Sequence, residues 1–356
     1  MSQSQLIDQS VATAGNSAIG YWSGPLFVVG MYRSGTSLLY TLLNKHPLIA
    51  LMYEADLFRL RPYLWALAPR QRWISQCEFW NGVFHRHGIN PKLIDLSTNL
   101  RAGIEQIHRE YARQKGAVIW GDKSPNYHDF LVRLAKDFPN ARFIVIWRDP
   151  LAICRSVVHA ARKARWFGRV GTNHRVLMGH RLLKSECDRL VDSGAQIYQL
   201  HYEDLVRNPV DEMKQICNFL SIPFVSSMVF LQGADRSAIY EGAHHSGVKG
   251  EQLIANLDRA EILPEKLKRK IERYINMWQR ESHGAWPISG KRQNAEQGEP
   301  SLAERIWDQV LYQSLRRIDF VVTLFQFLAP RGILQTWRTL RDQPERPASE
   351  DSALSP

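Results

Sequence analysis

The chain has 356 residues, is 44% hydrophobic and 23% charged, and carries 46 Lys and Arg against 35 Asp and Glu, a formal charge of +11. This is the composition of an ordinary globular protein, sized for one large α/β domain or two smaller ones. The four cysteines, Cys77, Cys154, Cys187 and Cys217, are scattered without a CxxC pair, which excludes a disulfide framework and leaves them as reduced, structural thiols. No uninterrupted apolar run approaches the ~20 residues of a spanning helix, and the positive balance suits anionic partners (nucleotides, nucleic acid, acidic glycans, a membrane face) without choosing among them.

In chain order, residues 1–23 are a polar lead-in without the basic start and apolar core of a signal peptide, so a cytoplasmic location is expected. The core begins at Gly24-Pro25. Residues 26–29 are an apolar, branched run that predicts a strand, and Leu38, Leu39, Leu42 and Leu43 recur at helical spacing after it. Residues 57–115 are mostly helical in pattern, broken by Pro62, Pro69 and Pro91, with Trp65, Trp73, Phe79, Trp80 and Phe84 concentrated there. They form either a substrate-side helical insertion (57–116) or a helical layer with an aromatic core. Arg59, Arg61, Arg70 and Arg72 would suit an acidic acceptor.

Strands return at 117–120, 142–147 and 197–202, with a helix around 127–137 between the first two and helical patterns at 210–220 and 265–278. Strands alternating with helices predict an α/β fold with a P-loop-like parallel sheet flanked by helices, its ligands at the carboxyl ends of the strands. The expected organisation is a domain over 24–290, a linker at 291–300, an amphipathic basic helical extension over 301–341 and a disordered tail over 342–356. In the extension, Trp307, Val310, Leu311, Leu315, Ile318, Val322 and Phe325 fall on one helical stripe with arginines around it, a pattern for packing back on the domain or for lying on an anionic membrane.

The chemistry starts at FVVGMYRSGTSLLYTLLNKHP. Gly30 and Gly35 have the spacing of a Walker A loop, in which glycine lets backbone N–H groups turn inward at a helix N-terminus, yet Thr36 stands where the lysine belongs. Ser37 keeps the following hydroxyl, and the loop's cation is Arg33. Downstream, FIVIWRDPLAICRS ends its strand in Arg148, then Asp149, with Ser156 eight residues beyond Arg148: a fork of donors and a hydroxyl suited to a phosphate. Standing alone, Arg148-Asp149 reads as a local ion pair, Glu54 as an exposed carboxylate at a helix start and Lys123 as a solvated turn lysine. His85, His87, His244 and His245 lack carboxylate or Cys partners at ligand spacing, so no metal site is expected.

Taken together, these segments resemble the sulfotransferases that use 3′-phosphoadenosine 5′-phosphosulfate (PAPS). YRSGTS (32–37) is similar to their 5′-phosphosulfate loop and RDPLAICRS (148–156) to their 3′-phosphate motif. Arg33 to Thr36, with the helix ending in His46-Pro47, is most similar to the tyrosylprotein branch, and GDKSPNY (121–127) to the heparan branch; HYEDLVRNP (201–209) and FLSIPF (219–224) extend the match. The resemblance implies a metal-independent sulfotransferase with Glu54 as catalytic base and Lys123 and Arg33 at the sulfuryl group. It also implies a donor site of Arg33, Ser34, Gly35, Thr36, Ser37, Arg148, Ser156 and Tyr202, with Ser246 and Lys249 on a late closing loop. Many cytosolic members carry lysine in place of Arg33; arginine there is a charge clamp, not a proton donor. The implied partner is a hydroxyl-bearing acceptor: a carbohydrate, a peptide tyrosine, a lipid or a small metabolite. Two rivals remain at this point. A P-loop nucleotide kinase predicts Mg²⁺ dependence, against which Thr36 speaks; a basic nucleic-acid-binding protein explains the charge but not two phosphate motifs in order, and no nucleic-acid partner is expected.

Overall fold

A computed structural model describes residues 20–59, 78–94, 100–161, 172–239, 262–282, 298–328, 332, 333 and 336. Five strands, β1 (Pro25–Val29), β2 (Ile49–Tyr53), β3 (Ile119–Lys123), β4 (Arg142–Trp147) and β5 (Gln196–His201), form one sheet in the order β2-β3-β1-β4-β5. All of its pairings are parallel. From β1 the chain passes to β2 at one edge, fills the position between them with β3, then crosses over to build β4 and β5 on the other side. Loops leaving β1 and β4 therefore diverge at the sheet centre, the switch point where such sheets hold ligands.

Helices cover both faces, so the inner strands are buried on both sides and read as continuous apolar runs. One face packs Leu26, Val28, Ile144 and Ile146 against α1 (Thr36–Leu43), α7 (Tyr202–Arg207) and α8 (Pro209–Leu220). The opposite face packs Phe27, Val29, Phe143 and Val145 against a larger layer: α2 (Glu78–Arg86), α3 (Leu100–Gln114), α4 (Leu131–Asp137), α5 (Pro150–Ala161), α6 (Thr172–Asp192) and α9 (Glu265–Glu281). Phe27 lies at its middle, with the rings of Phe58, Phe143, Phe138 and Tyr127 at centroid distances of 5.4, 5.6, 6.0 and 6.1 Å. Cys154, Cys187 and Cys217 are buried free thiols, and burial raises all three; Cys77 lies outside the described residues.

Three differences from the sequence expectation matter for function. Strand β2, which the sequence reading left without an assignment, runs from the end of the first helix directly to Glu54. Strand β3 starts two residues later than expected and continues to Lys123, so that lysine ends a buried strand rather than standing in a solvated turn. In the 57–116 region, Trp80, Phe84, Ile104, Ile107 and Tyr111 are buried in the sheet-covering core, so the described part is a helical layer; Trp65, Trp73, Arg61, Arg70 and Arg72 lie outside the described residues.

The last described helix, α10 (Leu302–Leu328), docks through Tyr312 and Leu315. Trp307, Val310 and Ile318 face solvent, so the single stripe expected from the sequence divides between two faces of this helix. Residues 1–19, the 291–297 part of the linker and the 337–356 tail fall outside the described residues.

The central β1–β3 pairing depends on Gly121, where a Cβ would stand 2.0 Å from the carbonyl oxygen of Leu26. Gly121→Ala must therefore separate the two strands, at a cost of at least ~2–3 kcal/mol. A fall in Tm of at least roughly 3–4 °C is expected in thermal melts.

Candidate active site

The loop between β1 and α1 is shaped by two glycines without room for a side chain. A Cβ on Gly30 would meet Ser34 Oγ at 2.5 Å and the Ile146 carbonyl at 2.6 Å; one on Gly35, at φ +102°, would meet the Tyr202 ring at 2.3 Å. Gly35 is the N-cap of α1, and no side chain caps the helix there. The hydroxyl of Ser34 is buried without a hydrogen-bond partner. Uncapped amides and an unanswered buried hydroxyl at a helix start form a cradle that fits an anion.

The second motif converges on this loop. Strand β4 is hydrogen-bonded beside β1, so Arg148 at its end reaches the loop and donates from a guanidinium nitrogen to the Arg33 carbonyl at 3.0 Å. Arg33 Nε in turn donates to Ser156 Oγ at 3.1 Å, from the second turn of α5. The Tyr202 ring, already against Gly35, lies 4.2 Å from the centre of the Arg148 guanidinium, a cation–π contact. Asp149 turns elsewhere: its Oδ1 accepts the Leu151 N–H at 2.9 Å and caps α5. Arg148 thus braces the loop, and Asp149 caps the helix. Behind them, His180 Nε2 donates to the Arg148 carbonyl at 3.3 Å from α6.

A different set gathers across β1, at the ends of β2 and β3. Lys123 is completely buried, and its Nζ lies 2.6 Å from Glu54 Oε1 and 3.3 Å from Ser37 Oγ. The Tyr53 ring face is 3.7 Å from the same ammonium, and the Tyr53 hydroxyl shares a hydrogen bond of 2.8 Å with Ser37. Glu54, 26% exposed, is paired and attached to a strand end rather than free at a helix start. Ser37 joins this set to the β1–α1 loop.

Four residues that build this corner were not picked out as site residues from the sequence. Asp122, fully buried, accepts the backbone N–H groups of Ala55 and Asp56 at 3.3 and 3.1 Å and the Tyr127 hydroxyl at 2.7 Å. Burial raises Asp122 to about 7, helped by the nearby charge of Asp56. Asp56 accepts from Asn126 Nδ2 at 2.6 Å and from the Ser124 hydroxyl. His87 accepts the Tyr53 N–H on Nε2 at 3.0 Å while Nδ1 donates to the Val83 carbonyl at 2.9 Å, so it acts as a neutral backbone clamp. Tyr32 donates from its hydroxyl to Asn126 Oδ1. These bonds hold strain: among the described residues the non-glycine residues with positive φ are Arg33 (+69°), Glu54 (+46°), Asp56 (+56°) and Ser221 (+58°), and the first three belong to this site.

The structure therefore brings together Arg33, Ser34, Gly35, Thr36, Ser37, Arg148, Ser156 and Tyr202 around one loop, with Lys123 and Glu54 beside it. Ser246 and Lys249 lie outside the described residues, as do His244 and His245. Among the described residues no group of three or more His, Cys, Asp and Glu side chains is placed to hold a metal.

A family model described as "Sulfotransferase family" matches residues 25–226, which contain every element of this site. The chain belongs to the sulfotransferase family. Within it, the chain is 26% identical over 201 residues to protein-tyrosine sulfotransferase 1 of Danio rerio, covering 56% of this chain and 53% of that one. It is 22% identical over 205 residues to a putative protein-tyrosine sulfotransferase of Caenorhabditis briggsae, covering 57% and 68% of the respective chains. The chain thus spans about half the length of the Danio rerio relative. Among solved structures, the sulfotransferase domain from the curacin biosynthetic pathway shares the fold at a TM-score of 0.51 and 18% identity, covering 73% of this chain and 99% of that domain.

Three buried histidines of this sulfotransferase fold give a pH prediction. Burial lowers His87 and His180 to about 4 and His108 to about 3. Folded values below the ordinary ~6.5 mean that their stabilising contribution is complete above that pH and is lost as pH falls toward 4, ~2 kcal/mol for each by pH 5. Asp122 acts with the opposite sign between its unfolded value and about 7, but it is one group against three. Thermal melts should show Tm falling from pH 7.5 to 5. His108→Phe, at a site where the imidazole already stacks 4.6 Å from Phe58, should make that slope shallower.

Proposed function

We propose that the protein transfers a sulfuryl group from PAPS to an acceptor hydroxyl. The observation that carries this reading is the joining, through Ser37, of a doubly basic phosphate loop to a buried lysine paired with a half-buried glutamate. The uncapped amides and hydroxyls of Ser34 to Ser37 hold the 5′-phosphosulfate, and Arg148 and Ser156 hold the 3′-phosphate. Tyr202 borders the nucleotide, and Arg33 clamps charge between the two ends.

In the resting site the Lys123 ammonium is spent on Glu54. Donor binding draws the ammonium toward the sulfuryl and bridging oxygens, and this frees the carboxylate to receive a proton. The acceptor oxygen then forms a bond to sulfur as the bond from sulfur to the bridging oxygen breaks. The electron pair leaves with 3′,5′-adenosine bisphosphate, and the acceptor proton goes to Glu54. Positioning and charge stabilisation supply most of the rate, as in phosphoryl transfer, and the base contributes ~10²–10⁴-fold. The names of the relatives support a peptide tyrosine as the first acceptor to try, and the similarity of GDKSPNY to the heparan branch makes carbohydrate hydroxyls the next. Against a kinase stand Thr36 in the lysine position and Asp149, whose carboxylate caps a helix.

Calorimetric titration with 3′,5′-adenosine bisphosphate, 5′-AMP and ATP–Mg²⁺ tests the donor site. Preference for the bisphosphate should disappear in Arg148→Ala; preference for ATP–Mg²⁺ would sink the reading. Glu54→Gln should lower turnover at least ~10²-fold while leaving bisphosphate affinity within a few-fold of wild type. Turnover close to wild type would remove Glu54 from the base role.

A further inference from the structure

Helix α10 is fastened along one side and bare along the other. Its inner side is held by polar bonds as much as by packing. Asp308, buried, takes Lys270 Nζ and the Tyr274 hydroxyl, each at 2.6 Å. Glu304 receives both terminal nitrogens of Arg273 at 2.8 and 3.0 Å, and Asp319 receives Arg175 at 2.9 Å. Arg316 pairs with Asp129, and the Tyr312 hydroxyl meets His128 at 3.1 Å. Every acid of the helix is therefore turned toward the body of the protein.

The outer side carries Ile306, Trp307, Val310, Ile318 and Val321, each more than half exposed, at the three- and four-residue steps that place side chains on one helical face. The charge in the middle of this face is Arg317, also exposed. From Ile306 to Val321 the face runs for about 22 Å along the helix axis. Two exposed apolar clusters on one helical face, with Ser314 and Arg317 between them, mark an interaction site. In the sequence that follows, no acid occurs between Asp319 and Asp342, while Arg331, Arg338 and Arg341 do.

We infer that this outer face seats the protein on an anionic lipid surface, with the helix lying in the plane of the interface. Three observations select that occupant. The apolar strip has cations in and beyond it and no acid, and the chain as a whole is at +11, which complements anionic headgroups. The inner face is bonded to the body along its length, and no described helix is long and apolar enough to cross a membrane, so the helix lies on the surface and does not span it. A two-fold pairing with a second copy would bring the Arg317 side chains together near the middle of the contact and oppose two strongly basic molecules. The inference is independent of the donor assignment, and its residues lie outside the site described above.

Flotation of the full chain without detergent, on phosphatidylcholine vesicles with and without about a third phosphatidylglycerol, tests it. Wild type should float with the anionic vesicles and stay behind with the neutral ones. Trp307→Ser combined with Val321→Ser should abolish flotation, and Arg317→Glu should weaken it roughly tenfold or more. Both variants should retain wild-type Tm and bisphosphate affinity, because the substituted side chains face solvent. No flotation by wild type, or flotation undiminished in the variants, overturns the proposal. So does a wild-type dimer that the variants convert to monomer, which would make the face a self-association surface.

Discussion

A buried ammonium has to be answered by a charge, and Lys123 is answered by one carboxylate at 2.6 Å. That requirement fixes three elements at once. Strand β3 must end at Lys123 beside Tyr53 of β2, β2 must deliver Glu54 in a left-handed conformation next to that ammonium, and α1 must present Ser37 to both Lys123 and Tyr53. The strain at Glu54 and Asp56 persists because Asp122 accepts the next two amides and His87 holds the preceding one. A carboxylate raised to about 7 and a neutral histidine are both costly to bury, and both are used here on backbone rather than on chemistry.

The two arginine-bearing segments, 115 residues apart between Arg33 and Arg148, meet because β1 and β4 are hydrogen-bonded neighbours. Their meeting is more than proximity. Arg148 braces the backbone of Arg33, Arg33 reaches Ser156, and Tyr202 closes on both Gly35 and Arg148, so each part of the anion cradle holds another part in place. An arginine that is already bonded and stacked loses little freedom when a ligand arrives, which is the physical content of preorganisation.

Much of this was legible in the sequence because glycine spacing, strand-end arginines and motif order are local signals. The loop, the Arg148 to Ser156 segment and four of the five strands follow from them. Strand β2 was not, since a short apolar run between two helical patterns has no period of its own to mark it. Asp122 and His87 were hidden for another reason. A sequence says nothing of burial for a charged or imidazole side chain whose partners lie on other elements, and the default expectation for Asp is solvent. Reading Lys123 as a turn residue had the same root, because the expected strand stopped at residue 120 and left no reason to bury what followed. In α10 the apolar pattern was visible, but the division into a bonded face and a bare one depends on acids finding arginines on α6 and α9.

The order of the strands also partitions the labour of the protein. The arginine-rich cradle belongs to β1, β4 and β5, whereas the lysine–glutamate corner belongs to β2 and β3, and the central strand separates them. Residues after Glu54 and around Asn126 lie beyond the ends of β2 and β3, Arg148, Ser156 and Tyr202 beyond the ends of β4 and β5, and the β1–α1 loop stands between the two groups. A scaffold divided in this way lets one half be rewritten for a new recognition task while the other retains its inherited one, and it makes the β2–β3 edge the natural place to begin redesign.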